Sequence, residues 1–218
     1  MIEQQTFIET DPAALEALLS FCHKRKYPNR KIIIQPGDEA ELMYYIMEGS
    51  VAVSSEDEEG REIVLGYLNK GEFLGEMGLF MRPDKRYVTV RAKEKVEIAE
   101  IGYRRLRALL DNELKPYKAD IFYSIGLQLS NRLLTTRRKV NRLAFMDVSG
   151  RIAKTLLDLC KEPDALTHPD GMQIKITRQE ISRIAGCSRE MAGRVMKKLE
   201  EDGMISMSGK TIVVFGAR

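Results

Sequence analysis

Two groups of residues have the types and spacing to do chemistry. Near the C-terminus stand Arg189, Glu190 and Arg194. Arginine can donate a pair of hydrogen bonds to O6 and N7 of guanine, and a carboxylate can accept from N4 of cytosine. Upstream stand Gly75, Glu76 and Gly78, with Arg86 shortly after. Glycines let a backbone approach a ligand closely. A short helical turn there would aim backbone N–H groups at an anion. Glu76 could accept from sugar hydroxyls, and Arg86 could pair with a phosphate. Each group also has a plainer reading. The first would be solvated charges on a helix hairpin, and the second would be ordinary turns of a strand-rich domain.

Other chemistries lack their residues. Metal sites of small β-barrel enzymes need two or three histidines, and His23 and His168 are the whole supply. No Ser–His or Cys–His arrangement is suggested, so the expectation is that the chain is not an enzyme and holds no metal. Cys22, Cys160 and Cys187 are far apart and form no Cys-x-x-Cys, which argues against a disulfide framework or iron–sulfur cluster. A redox or haem sensor would want an N-terminal cysteine cluster, and no cysteine precedes Cys22. Met1 to Asp11 is polar and acidic, and no apolar run approaches the roughly 20 residues of a membrane span. A cytoplasmic protein without membrane contact is expected.

The elements that must position the first group are two short helices. Thr177 and Glu180 form a capping box that opens one, with Ile181, Ile184 and Ala185 on its apolar face. Gly186 supplies a turn. Ser188 caps the second helix, whose apolar stripe is Met191, Ala192, Val195, Met196 and Leu199. Arg189, Glu190 and Arg194 lie away from that stripe, at the end of a helix-turn-helix that meets base edges. Met204–Met207 and Thr211–Phe215, joined at Ser208–Lys210, make a closing hairpin, which gives a winged helix-turn-helix.

The second group lies among short strands from Lys31 to Glu100, punctuated by Pro36–Glu39, Gly49 and Asp57–Gly60. Such spacing predicts a small antiparallel roll. The segment Gly71–Phe80 reads as the one non-strand stretch inside it. A helix over Pro12–Cys22, capped by Asp11, precedes the roll, and a short helix over Tyr103–Leu110 follows it. A long helix runs from about Tyr117 to Phe145. Its seam of Phe122, Ile125, Leu129, Leu133, Thr136, Val140 and Leu143 has gaps of 3, 4, 4, 3, 4 and 3. That is a heptad with one irregular step, which suggests a parallel homodimer. Asp147–Gly150 is a break where Ser149 is expected to cap the next helix, and Glu162–Gly171 reads as a loop. The α+β chain thus divides into a β-roll domain (1–116), a dimerisation helix with hinge (117–146) and a winged helix-turn-helix domain (147–218). Its 218 residues and 44% hydrophobic content can bury a core, and the net charge of 35 − 32 = +3 does not by itself announce a nucleic-acid binder.

Gly49-Ser50-Val51, Gly75–Phe80, Leu143–Val148, Thr167–Glu180 and Gly186–Glu190 together resemble the CRP/FNR family of bacterial transcription regulators. The resemblance runs from His23 to Arg218. It is similar both to the cyclic-AMP receptor protein (catabolite activator) branch and to the CRP-like Clp branch, which is associated with cyclic di-GMP. It implies a cyclic-nucleotide-binding roll and cyclic AMP as ligand, with cyclic di-GMP or no nucleotide as alternatives. Gly75 and Glu76, flanked by Met77 and Gly78, would hold the ribose, Arg86 the cyclic phosphate, and Thr136 the base. Tyr87 and Arg137 stand where the cyclic-AMP pattern has Ser or Thr. The implied DNA-facing set on a palindromic operator is Thr177, Arg178, Ser188, Arg189, Glu190, Arg194 and Lys197. RNA polymerase would meet one surface at Thr167 and His168, in the loop from Pro163 to Gly171, and a basic one at His23, Arg25 and Arg105.

Overall fold

The computed structural model describes residues 11–81, 84–162 and 165–217. The polar start over residues 1–10 and the loop residues Pro163 and Asp164 lie outside them. The chain divides into two units, one of residues 1–55 and 65–135, the other of residues 56–64 and 136–218. This division falls inside the long helix, and each unit is described by itself.

In the first unit, α1 (Pro12–Ser20) opens as expected, with the Asp11 side chain accepting from the N–H of Ala13 and Pro12 at the first helical position. Then come β1 (His23–Tyr27), β2 (Ile32–Ile34), β3 (Leu42–Glu48), β4 (Ser50–Glu56), β5 (Glu62–Asn69), β6 (Phe73–Leu74), the single turn α2 (Met77–Phe80), β7 (Thr89–Ala92) and β8 (Val96–Gly102). Two four-stranded sheets result, in the orders β1-β8-β3-β6 and β2-β7-β4-β5. Gly49 turns β3 into β4 at φ 81°, where a Cβ would come within 2.7 Å of the Lys95 carbonyl. Ile46, Val51, Val90 and Ile98 fill the space between the sheets.

Two strands were not legible. β1 is a run of charges, His-Lys-Arg-Lys, at a sheet edge. Its register with β8 sets Arg25 opposite Ile98, from where the side chain reaches the diagonal Glu100 at 2.8 Å, so ion pairing and backbone bonds stand in for apolar alternation. The Gly71–Phe80 segment, expected to be strand-free, contains β6, which pairs Phe73 with Tyr45 and Leu74 with Tyr44.

The helix α3 (Tyr103–Asp111), a tight turn at Lys115–Tyr117, and α4 (Lys118–Phe145) follow. Ile121 and Ile125 of α4 are fully buried with Leu106, Leu110 and Phe73. Each such burial is worth about 1.5–3 kcal/mol. The expected seam is corrected accordingly. Ile125 belongs to the core of the first unit, and exposed Gly126 takes its place in the stripe. Phe122, Gly126, Leu129, Leu133, Thr136, Val140 and Leu143 then step by 4, 3, 4, 3, 4 and 3. The irregular step disappears because it came from a residue on the other face of the helix. Leu133 is 71% exposed and Val140 56%.

In the second unit, α5 (Val148–Leu159) is capped by Asp147, whose carboxylate accepts from the N–H of Gly150 at 2.8 Å, and not by Ser149. The Asp147 backbone is extended while Ser149 is already helical, and only a residue outside the helix can fold its side chain back onto the first turn. Asp147→Ala should therefore cost about 1 kcal/mol and Ser149→Ala under about 0.5 kcal/mol, read by denaturant unfolding of both variants. Equal costs would return the cap to Ser149.

The expected Glu162–Gly171 loop contains β9 (Leu166–His168), which pairs with β10 (Gly171–Lys175). Then come α6 (Arg178–Ala185), α7 (Arg189–Glu201), β11 (Ile205–Ser208) and β12 (Thr211–Phe215), in the sheet order β11-β12-β10-β9. Ile152, Ile181, Ala192 and Ile212 form the core beneath that sheet.

Lys139 donates to the Val64 carbonyl, and burial pulls its ammonium down to about 8 from 10.5. Between those values the native chain has lost a proton that the unfolded chain keeps, so this residue makes stability rise with pH. The wild-type minus Lys139→Met difference in unfolding free energy should grow from pH 8 to 10.5. A flat difference would refute the shift.

Candidate nucleotide pocket and DNA-reading surface

The 71–79 segment is held by its carbonyls. Gln128 of α4 donates to Gly71 O at 2.9 Å and accepts from Phe73 N at 2.8 Å. Arg132, one turn on, donates to Phe73 O and to Glu76 Oε1 at 2.7 Å. Tyr103 donates to Gly75 O. Arg107 donates to Gly78 O at 3.1 Å and Leu79 O at 3.3 Å. One residue in each of these pairs lies on α3 or α4, far along the chain from the segment it holds.

The expected ligand residues of this unit come together. Gly75 has φ 80°, and a Cβ there would stand 3.0 Å from Arg86 Nη1. Glu76 is 4% exposed. Its Oε1 is taken by Arg132, while its Oε2 and Arg132 Nε are buried without a hydrogen-bond partner among the described residues. Buried polar atoms are rarely left so. A carboxylate oxygen that can only accept and an N–H that can only donate form a matched pair for a hydroxyl. The Arg86 guanidinium donates to Leu42 O and lies 5.9 Å over the Tyr44 ring. Burial pushes the Tyr44 phenol up to about 12, so it stays neutral there. Gly78 packs against the Tyr103 ring, where any Cβ would overlap it.

Met77 and Tyr87 differ from this set in being exposed, Tyr87 by 76%. Thr136 and Arg137 belong to the second unit and are exposed on α4. Sequence reasoning passed over Tyr103, Arg107, Gln128 and Arg132. The only signal it could have used for the last two is their i, i+4 spacing on one helix face.

In the second unit the capping box is complete. Thr177 Oγ1 accepts from Glu180 N at 3.1 Å, and Glu180 Oε2 accepts from Thr177 N at 2.8 Å. Gly186 is left-handed at φ 65°, and Ser188 Oγ accepts from Met191 N at 3.2 Å. Arg151 clamps the turn from α5, donating to Ala185 O at 2.8 Å, Gly186 O at 3.2 Å and Met146 O at 2.9 Å. Three carbonyls left over by helix ends are thereby satisfied. Glu200 Oε1 accepts from Met207 N at 2.9 Å, which ties α7 to the wing.

Arg178, Arg189, Glu190, Arg194 and Lys197 line one open groove of about 390 Å³. A neighbouring groove of about 550 Å³ runs past Thr177, Arg178, Arg189 and Lys210. The Glu190 carboxyl is held below its usual range, chiefly by its own backbone N–H, then by Ser188, Arg189 and Arg194. It is thus an anionic acceptor among cations, on a helix exposed along that side.

Of the remaining expected residues, Thr167 lies exposed on β9, and the ring of His168 accepts from Asp170 N at 3.2 Å. His23 and Arg105 are exposed, and Arg25 is engaged by Glu100. Among the described residues no three or more of His, Cys, Asp and Glu gather as metal ligands, and no helix is long and apolar enough to cross a membrane.

Residues 24–113 match the Cyclic nucleotide-binding domain family and residues 150–215 the Crp-like helix-turn-helix domain family. The chain is 54% identical over 207 residues to Vfr of Pseudomonas aeruginosa, a cAMP-activated global transcriptional regulator, covering 94% of each. It belongs to the CRP family of transcription regulators. The CRP-like protein Clp of Xanthomonas campestris pv. campestris is 50% identical over 208 residues, with 95% of this chain and 90% of Clp covered. The solved structure of the c-di-GMP-responsive global regulator CLP of Xanthomonas campestris superposes at TM-score 0.92, covering 94% of this chain and all of that one. At 23% identity and TM-score 0.71, a CRP/FNR-family regulator of Thermus thermophilus shares the fold. This CRP-family regulator therefore joins a cyclic-nucleotide-binding roll to a DNA-binding helix-turn-helix.

Proposed function

We propose that this regulator is a cytoplasmic homodimer whose binding to a palindromic operator is gated by cyclic AMP. The observation that carries the ligand is the pair of buried atoms without a hydrogen-bond partner among the described residues, Glu76 Oε2 and Arg132 Nε, with Arg86 Nη1 3.0 Å from the Cβ position of Gly75. Together they offer a hydroxyl pair and an anion one partner each. Gly75, Glu76 and Gly78 take the ribose, Arg86 the cyclic phosphate, and Thr136 and Arg137 the base side. Activation of Vfr by cAMP supports this choice. The heptad stripe from Phe122 to Leu143 supports a parallel dimer, since a polar water-facing helix would not repeat exposed Leu133 and Val140 seven residues apart.

In that reading the chain is organised as the roll (1–116), the dimer helix and hinge (117–146) and the winged helix-turn-helix (147–218). Ligand binding favours one packing of the two α4 helices. That packing sets the separation of the two α7 helices to match successive major grooves. Arg189, Glu190 and Arg194 read bases; Thr177, Arg178, Ser188 and Lys197 hold the backbone. Thr167 and His168, and separately His23, Arg25 and Arg105, face RNA polymerase, with Arg25 released from Glu100 on contact.

A second reading rests on Tyr87. A large exposed ring stands where a cyclic-AMP site has a small hydroxyl, and Clp responds to c-di-GMP. Calorimetric titration with each nucleotide, followed by a DNA mobility-shift assay, separates the two. Heat and tighter DNA binding with cyclic AMP are expected. Heat with cyclic di-GMP alone, with weakened DNA binding, would replace the first reading by the second. Silence with both would make the regulator nucleotide-independent.

A further inference from the structure

Arg86 is fixed from several directions, and one contact in the set has no part in building the sheets. Its backbone N–H donates to Asp38 O at 2.8 Å and its carbonyl accepts from Gly37 N at 3.0 Å, which anchors the main chain. The side chain reaches Leu42 O and passes over Tyr44. At its far end lies the hydroxyl of Tyr103. Arg86 Nη1 and Tyr103 Oη stand 3.0 and 3.2 Å from the same point, the Cβ position of Gly75.

Tyr103 is the first residue of α3, with its N–H donating to Glu41 O at 3.0 Å. The carbonyl of the next residue, Leu42, is the one that receives Arg86. The Tyr103 ring is buried and leaves room only for glycine at position 78. Its proton goes to Gly75 O, so only the oxygen's lone pairs remain for a cation. Burial raises this phenol, while the Arg86 charge lowers it. One hydroxyl thus touches both halves of the pocket.

We infer that Tyr103 is a positioning residue: it orders the Gly75 carbonyl and the Arg86 guanidinium together, so that hydroxyl recognition and phosphate recognition are set in one geometry. The inference rests on the pocket proposed above. It assigns to α3 a role in ligand affinity that neither the roll strands nor α4 supplies. The phenol needs no contact with ligand, because it acts through Arg86.

The test is a double-mutant cycle of Tyr103→Phe and Arg86→Lys, with cyclic AMP titrated in one arm and cyclic di-GMP in another. Tyr103→Phe keeps the ring that packs on Gly78 and removes one oxygen. It should weaken the bound nucleotide about ten-fold in the wild-type background, the scale of a hydrogen bond to a charged group. In the Arg86→Lys background the further loss should fall below about two-fold, because the partner of the hydroxyl is already altered. Equal losses in both backgrounds, or none in either, would overturn the inference. A structural role would act equally in both. The Arg86 Nε–H resonance of the ligand-free protein provides a readout independent of any nucleotide. It should shift in Tyr103→Phe; an unmoved resonance would overturn the inference. If neither nucleotide binds the wild type, the pocket reading fails, and this resonance still decides the role of Tyr103.

Discussion

Arg86→Ala is expected to abolish the nucleotide response. The Arg86 guanidinium stands at the Gly75 turn, with Nη1 3.0 Å from the Cβ position of that glycine, while Arg132 is engaged by Glu76 and Arg107 by the carbonyls of Gly78 and Leu79. Truncating one member of a buried, hydrogen-bonded charge pair costs about 2–5 kcal/mol, much of it from the stranded partner. Affinity for cyclic AMP should therefore drop by about thirty-fold or more. Calorimetry on wild type and variant is the check, and affinities within about three-fold of each other would remove Arg86 as phosphate partner. Part of any stability change has a separate origin. The variant also leaves Leu42 O without its donor, so denaturant unfolding should be read alongside.

The second large effect is on DNA. Arg189 stands exposed at the first position of α7, in the groove it shares with Arg178 and Glu190. Arg189→Ala should cost about 1–3 kcal/mol on an operator selected from random sequence by the wild type, and little on unselected DNA. Lys197→Ala is the contrast. A lysine that meets phosphate loses affinity on all sequences alike and lowers the salt slope by about one. Shift assays on both DNAs across a salt series distinguish the two residues. If Arg189→Ala weakens selected and random DNA equally, Arg189 is a backbone contact and base reading passes to Glu190 and Arg194.

Much of the helix-turn-helix was legible because its determinants are local. Thr177 and Glu180 are three residues apart, and the bonds they make join those same residues. Gly186 adopts the left-handed turn that only a residue without Cβ takes cheaply. Ser188 and Met191 close the second cap in the same way. A capping bond needs no knowledge of the rest of the chain. Asp147 and Ser149 mark the limit of that argument. Both are good caps, two residues apart, and the backbone angle that chooses between them depends on how α5 packs.

The α4 stripe failed at one residue for a related reason. Ile125 and Gly126 are adjacent, and apolar character favours the isoleucine. A helix next to a domain has two claims on its apolar residues, and periodicity cannot say which neighbour takes which. Packing against Leu106 and Phe73 takes Ile125, and a glycine is left on the open face.

The residue types at both sites could thus be read from local pattern: the glycines and carboxylate at 75–78, Arg86, and the Arg-Glu pair that opens α7, with most of the surrounding elements but not β1, β6 or β9. These are short-range properties of composition, spacing and backbone freedom. Only the tertiary structure decided what holds them. The carbonyls of Gly71, Phe73, Gly75 and Gly78 are gripped by Gln128, Arg132, Tyr103 and Arg107, 28 to 59 residues further along the chain. The α6–α7 turn is gripped by Arg151, more than thirty residues before it. Such bonds form where folding brings distant helices against a loop, and no pattern of neighbouring residues encodes which carbonyl will be there to accept.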